Sequence, residues 1–128
     1  MAIRRETITA SPSTGGAGAS TVNATSSHII KGYIRAVHLA YLDSPPAATT
    51  DVTVAGVTAP AIPILTVSNA ATDAWFFPMN QADNTVGADI TNQGSPVAIE
   101  DYVKVTIAQA NDGDGVTATI IYDDCGMG

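Results

Sequence analysis

The sequence has few of the residues that catalysis, disulfide bonding and metal binding require. Its 128 residues include two histidines and one cysteine. No Gly-x-Ser-x-Gly elbow and no glycine-rich phosphate loop occurs. Cys125, the single cysteine, has no second cysteine with which to form an intrachain disulfide. We therefore predict that the protein is not an enzyme, with no catalytic residues, no cofactor and no metal.

Basic residues are also scarce. Five lysines and arginines face twelve acidic residues, which gives a formal charge of −7 and an isoelectric point near 4.3. Nucleic-acid binding depends on basic side chains that neutralise phosphates, so no nucleic-acid partner is expected. No apolar run approaches the roughly 18 residues of a membrane span, and no apolar signal region follows Met1. We expect neither a membrane partner nor export.

Aromatic residues are few, at 5% of the chain, although hydrophobic residues make up 45%. Much of the apolar content is alanine and valine, whose burial removes little area from water, at about 25 cal/mol per Å². A monomer with such a core is marginal in stability. The composition therefore predicts that the protein associates with itself as a homo-oligomer.

Alternating apolar and small polar residues dominate what remains. The segments 51–56, 102–108 and 116–122 have the two-residue period of strands with one buried face. Glycine, proline and asparagine separate such segments at intervals of about 8 to 12 residues, and no obligatory helix is indicated. The sequence predicts an all-β, single-domain β-sandwich or jelly-roll-like barrel of about seven to nine short antiparallel strands.

The predicted domain covers residues 21–124, followed by a tail at 125–128. Residues 1–20 are expected to form a flexible N-terminal arm, because 11–20 is a linker of Ser, Gly, Ala, Thr and Pro. Ile3, Arg4 and Arg5 give this arm an apolar and a cationic contact for a neighbour. A short strand at 3–9, with the linker as a loop inside a hairpin, is the alternative.

Two other segments carry turn residues. Residues 80–96 are rich in Asn, Asp, Gln, Gly and Ser, so we predict the longest loop there, with at most one weak strand at 86–91. The sequence Asn-Asp-Gly-Asp-Gly at 111–115 is typical of a hairpin turn between the last two strands. It resembles a calcium loop only superficially, since the ligand spacing of an EF-hand is missing. A plain turn is therefore favoured over an ion site.

The remaining candidates for chemistry are isolated. His38 lies within the strongest apolar run and is interpreted as a hydrogen-bonded structural histidine, with a metal pair to His28 as the minor alternative. Glu100 and Asp101 are adjacent carboxylates. Neighbours on a strand point to opposite faces, so these two are expected to lead into a turn and not to face one substrate.

Trp75, Phe76 and Phe77 hold three of the seven aromatic residues. Strand alternation places Phe76 on one face and Trp75 with Phe77 on the other, which leaves at least one large ring available to a partner. Because interfaces are enriched in aromatic residues, we predict an assembly interface that includes Ile3, Arg4, Arg5, Trp75, Phe76 and Phe77. Core packing alone is the alternative for the aromatic cluster.

Four segments together resemble the small decoration, or cement, proteins of tailed-bacteriophage capsids. They are the basic start Ala2-Ile-Arg-Arg-Glu-Thr with its Gly- and Ala-rich linker, Gly32-Tyr-Ile-Arg-Ala-Val-His-Leu-Ala-Tyr, Asp101-Tyr-Val-Lys-Val-Thr-Ile-Ala-Gln, and Gly115-Val-Thr-Ala-Thr-Ile-Ile-Tyr. The resemblance implies a virion structural role on the capsid exterior, synthesis in the host cytoplasm, the major capsid protein as partner and commonly a homotrimer. It transfers no individual residue role.

Other functions fit the same composition. A tail, head-fibre or connector subunit would be equally β-rich and acidic. A carbohydrate-binding or adhesive β-sandwich would need exposed rings for stacking on sugars, and Trp75 with Tyr33 or Tyr41 are the candidates.

Overall fold

The computed structural model of this protein describes residues 2–42, 46–69, 72–83 and 85–125. Ten strands form the described structure. They are β1 (Ala2–Ala10), β2 (Ser20–Thr25), β3 (Ile30–Tyr41), β4 (Asp51–Gly56), β5 (Pro63–Val67), β6 (Ala74–Phe76), β7 (Met79–Asp83), β8 (Asp89–Asp101), β9 (Val103–Ala110) and β10 (Val116–Asp124). Of the predicted tail at 125–128, only Cys125 lies within the described residues.

The strands build two antiparallel sheets. A six-stranded sheet has the order β1-β10-β3-β8-β7, with β6 also paired to β3, and a four-stranded sheet has the order β2-β9-β4-β5. The predicted all-β sandwich is confirmed, with ten strands where about seven to nine were expected. The additional strands come from the two segments that the composition assigned to an arm and a loop.

The core lies between the two sheets and follows the alternation in the sequence. In β9, Val103, Val105 and Ile107 are fully buried, and in β10 the same holds for Val116, Ala118 and Ile120. Valine, isoleucine and alanine supply most of this core. Side chains of this size fill the space between the sheets because every second residue of both sheets points inward.

The N-terminal segment differs from the predicted flexible arm. Residues 2–10 pair along their whole length with β10, from Ala2 opposite Asp124 to Ala10 opposite Val116. Ile8 and Ala10 are buried in the core. Strand β1 is an edge strand of this chain's own sheet, because β10 offers a free edge and the alternation of 6–10 suits a half-buried position.

The linker after β1 is also held in place. It crosses from the six-stranded sheet to β2 in the other sheet. Ser13 donates its backbone N–H to the carbonyl of Asp114, and its hydroxyl donates to the carbonyl of Asn111. Ser13 and Ser20 are buried. These small polar residues predicted a flexible linker. In the structure they fit a tight crossing between the sheets and satisfy its backbone hydrogen-bonding groups.

The segment predicted as the longest loop is instead mostly strand. Strand β7 pairs with β8 from Met79 opposite Pro96 to Asp83 opposite Asp89. The prediction was wrong because polar residues are compatible with a strand whose two faces are both exposed to water.

The turn at 111–115 does not close a hairpin. It joins β9 in the four-stranded sheet to β10 in the six-stranded sheet. Gly113 adopts a φ of 89°, as the turn residues predicted, and the buried Asp114 carboxylate accepts hydrogen bonds from the backbone N–H groups of Asn111 and Ala47. The residue types at 111–115 predicted a turn correctly, but they do not specify which strands the turn connects.

Candidate interaction face

The six-stranded sheet turns one side toward the core and the other side outward. Register places three rows of outward residues across its strands. The rows are Ile3, Asp123, Tyr33 and Ala98; Arg5, Ile121 and Ala36; and Thr7, Thr119, His38 and Trp75. We call this surface the outer face. Adjacent strands are about 4.8 Å apart, so the third row spans about 14 Å.

Trp75 anchors one end of the outer face. Its ring lies beside that of His38 on the neighbouring strand, with centroids 4.8 Å apart and planes tilted by 54°, an arrangement within the favourable range for aromatic pairs. Trp75 remains 49% exposed. Phe76, opposite Val37 in the register, packs against the core instead. The structure thus has the alternation predicted for these two rings.

Five of the six predicted interface residues divide between the two sides of the sheet. Ile3, Arg5 and Trp75 share the outer face, although Trp75 is far from the other two in sequence. Arg4 points to the inner side, where it forms an ion pair with Asp124 at 2.5 Å. Phe77 follows the end of β6 and is 70% exposed. The structure brings three of the predicted residues onto one surface and separates Arg4 and Phe76 from them.

Sequence reasoning missed other members of this face. Tyr33 and Ile121 lie between the strands that carry Ile3 and Trp75. The sequence indicates Tyr33 only as a candidate ring for stacking on sugars. Alternation along β3 and β10 was visible in the sequence, but only the register between the strands shows which residues stand side by side.

Charges on the outer face are partly paired. Asp123 accepts a hydrogen bond from Nε of Arg35 at 2.5 Å, and Lys31 lies 3.3 Å from Glu100. Arg5 has no ion-pair or hydrogen-bond partner among residues in the described ranges. Exposed pairs contribute little to stability. Arg5 is therefore an unpaired cation on this face.

The inner side of β1 carries charges as well. Glu6 stands opposite Ile120, and its Oε2 is buried 3.4 Å from Nδ1 of His28. Burial of Tyr122 raises the pKa of its phenol, and the charges of Asp124 and Glu6 add to that rise. Inward-pointing charges on an edge strand oppose pairing with a strand of another molecule. The edge of β1 is therefore a poor surface for strand addition.

A shallow cavity of about 320 Å³ adjoins the first row of the outer face. Its lining residues include Lys31, Tyr33, Ile62, Ala98, Ile99 and Glu100. Glu100 and Asp101 do not face one site: Glu100 pairs with Lys31, whereas Asp101 accepts hydrogen bonds from the loop after β4. Their arrangement agrees with the predicted structural role for adjacent carboxylates on a strand.

In the part of the chain that the structure describes, no three His, Cys, Asp or Glu side chains converge as a metal site requires. Nor does any helical segment of that part have the length and apolar character of a membrane span. Comparison with protein-family models, with curated proteins and with solved structures gives no significant match to this chain.

Proposed function

We propose that this protein is a structural component of a virion, a decoration or cement protein that binds the outer surface of a tailed-bacteriophage capsid and stabilises the shell. Its partners are the major capsid protein and further copies of itself, in a homo-oligomer, a trimer in this proposal. The observation that carries the proposal is the outer face, where Trp75, Tyr33 and Ile3 are each exposed by about 40% or more beside the unpaired Arg5.

The composition of that face supports a protein partner. Tryptophan, tyrosine and arginine are the residues most enriched at the energetic centres of interfaces. Exposed side chains of this size leave apolar area in water, and a partner surface would remove it at about 25 cal/mol per Å². A broad sheet face on a two-layer scaffold suits the extended surface of a shell better than a small ligand.

Binding to shells tests the proposal directly. Purified protein is mixed with shells assembled from the major capsid protein of the same genome and lacking this chain, and the shells are then sedimented. We expect saturable co-sedimentation and a higher temperature of shell disruption. No binding to such shells, together with binding to tail or connector particles, would assign the protein to another virion part.

Adhesion is a second candidate function, because Tyr33 and Trp75 expose rings on the same face. Sugars stack on such rings. A glycan array read with the folded protein distinguishes the two: sugar binding that Trp75→Ala removes would favour an adhesive module, and its absence would favour the capsid assignment.

A further inference from the structure

Strands β7 and β8 form a hairpin that leaves the sheet. Strand β8 pairs with β3 only through residues 97–101, and further along β3 its place is taken by β6. Strand β7 pairs with β8 alone. Residues 79–83 and 85–96 thus form a two-stranded extension, which we call the projecting hairpin.

Most of the described side chains of the projecting hairpin are exposed to water. Met79 is 59% exposed and Val86 is 85% exposed. Of its described side chains, only Ala82 and Pro96 are partly buried. An isolated two-stranded hairpin is marginally stable in water, and a third strand or a packing surface is needed to hold it. Within the described residues, the apolar side chains of Met79 and Val86 are left largely in water.

The hairpin also lacks a counter-charge. Asp83 and Asp89 stand directly opposite each other, and the segment 77–99 contains no lysine or arginine. Like charges opposite each other destabilise a strand pair. A hydrogen bond in which protonated Asp83 donates to the Asp89 carboxylate is the main cause that raises the pKa of Asp83, and desolvation and the charge of Asp89 add to it. A cation from another molecule would relieve this repulsion.

The outer face offers the complementary group. Arg5 has no acidic partner within the described residues. Ile121 stands opposite it. The adjacent row holds Ile3, the Asp123 carboxylate that is paired with Arg35, and Tyr33. The cavity of about 320 Å³ lies at the far end of that row, where Tyr33 and Ala98 line it. We call this part of the outer face the arginine end.

We infer that the projecting hairpin of one copy docks on the arginine end of a second copy. The hairpin supplies Asp83, Asp89, Met79 and Val86. The face supplies the Arg5 guanidinium with the apolar side chains of Ile3, Ile121 and Tyr33. Because two chains of net charge −7 repel each other on average, association needs a local attraction of this kind. The same chain carries both the projecting hairpin and the complementary arginine end. The partner that we infer is therefore a second copy of this chain.

Such a contact joins two different surfaces, so it is heterologous. Repeated around an axis it closes a ring, and without closure it extends as a filament. The contact does not depend on the capsid assignment, since it concerns only copies of this chain. In this contact the element that extends to the neighbouring copy is the projecting hairpin and not the N-terminal segment.

A charge-swap experiment tests the contact on the full chain. One variant carries Asp83→Lys with Asp89→Lys, and the other carries Arg5→Glu. Sedimentation velocity is measured from about 1 to about 100 μM, the range of weak interfaces. We expect the unchanged protein to associate and each variant alone to associate at least about tenfold more weakly. Mixing the two variants should restore association, because each then meets an opposite charge.

Two further variants separate the contact from general charge effects. Lys104→Glu changes a cation in the four-stranded sheet and should leave association unchanged. Val86→Asp changes an exposed hairpin side chain and should weaken association without lowering the unfolding temperature. Three results would each overturn the inference. The unchanged protein could stay monomeric throughout this range, the charge variants could associate as tightly as the unchanged chain, or their mixture could fail to recover association.

Discussion

Thr58 donates two hydrogen bonds to the carboxylate of Asp101, one from its backbone N–H at 2.7 Å and one from its hydroxyl at 3.1 Å. The backbone N–H groups of Val57 and Tyr102 donate to the same carboxylate. Asp101 ends β8 in one sheet, and Thr58 follows β4 in the other. This one side chain therefore links the two sheets at one end of the sandwich.

These bonds give a pH dependence with a definite sign. The Thr58 backbone bond is the main cause that lowers the pKa of Asp101, with the Thr58 hydroxyl and the other N–H groups adding to it. A lowered pKa contributes stability above the unfolded value, about 3.9, and this contribution disappears as pH falls through the folded value. We expect Asp101→Asn to be less stable than the unchanged protein at pH 7, and the difference to shrink at lower pH.

Thermal unfolding between pH 7 and pH 2 measures this difference. Glu100→Gln is the matched control, since Glu100 is the adjacent carboxylate and makes only an exposed pair with Lys31. An Asp101→Asn protein whose stability follows the same pH curve as the unchanged chain would show that the bonds to Thr58 contribute nothing.

Gly32→Ala should destabilise the protein strongly. Gly32 has a φ of 152°, and a Cβ added there would lie 1.7 Å from the carbonyl oxygen of Asp123. The chain must move to admit it, so we expect a loss of about 3 kcal/mol or more of unfolding free energy. Gly16→Ala is the control, because nothing lies within 4 Å of its added Cβ. Equal urea midpoints for the two variants would contradict the prediction.

Ile8→Ala tests the place of β1 in the core. Ile8 is buried opposite Ala118, so truncation should cost about 2 to 5 kcal/mol of unfolding free energy. Its neighbour Thr7 is exposed, and Thr7→Ala should change stability by less than about 1 kcal/mol. If β1 were a dispensable arm, the two variants would unfold alike in urea.

Trp75→Ala and Phe76→Ala should affect different properties. Trp75 is on the outer face, so its truncation should weaken assembly by about 2 kcal/mol or more, roughly thirtyfold, while the monomer stays folded. Phe76 packs against the core, and its truncation should lower stability by about 3 kcal/mol. Shell binding and urea unfolding are measured on both. Losses of binding that simply follow losses of stability in both variants would restrict the cluster to a core role.

The sequence by itself determined the fold class and most of the strands. A two-residue alternation is a local property, so segments such as 116–122 indicate their own inward and outward sides without knowledge of any partner. The same rule predicted correctly that Phe76 and Trp75 point in opposite directions. Turn residues were also readable locally, because glycine at position 113 accommodates a positive φ.

Only the tertiary structure decided which strands are neighbours. Pairing joins residues far apart in sequence, as in Ile3 with Asp123 and Asp123 with Tyr33, and backbone hydrogen bonds are the same for any pair of strands. The choice among partners depends on how the complete set of apolar faces packs into one core. For that reason Ile3, Arg5 and Trp75 could be named from the sequence, but their common surface, and the hairpin at 79–96, could not.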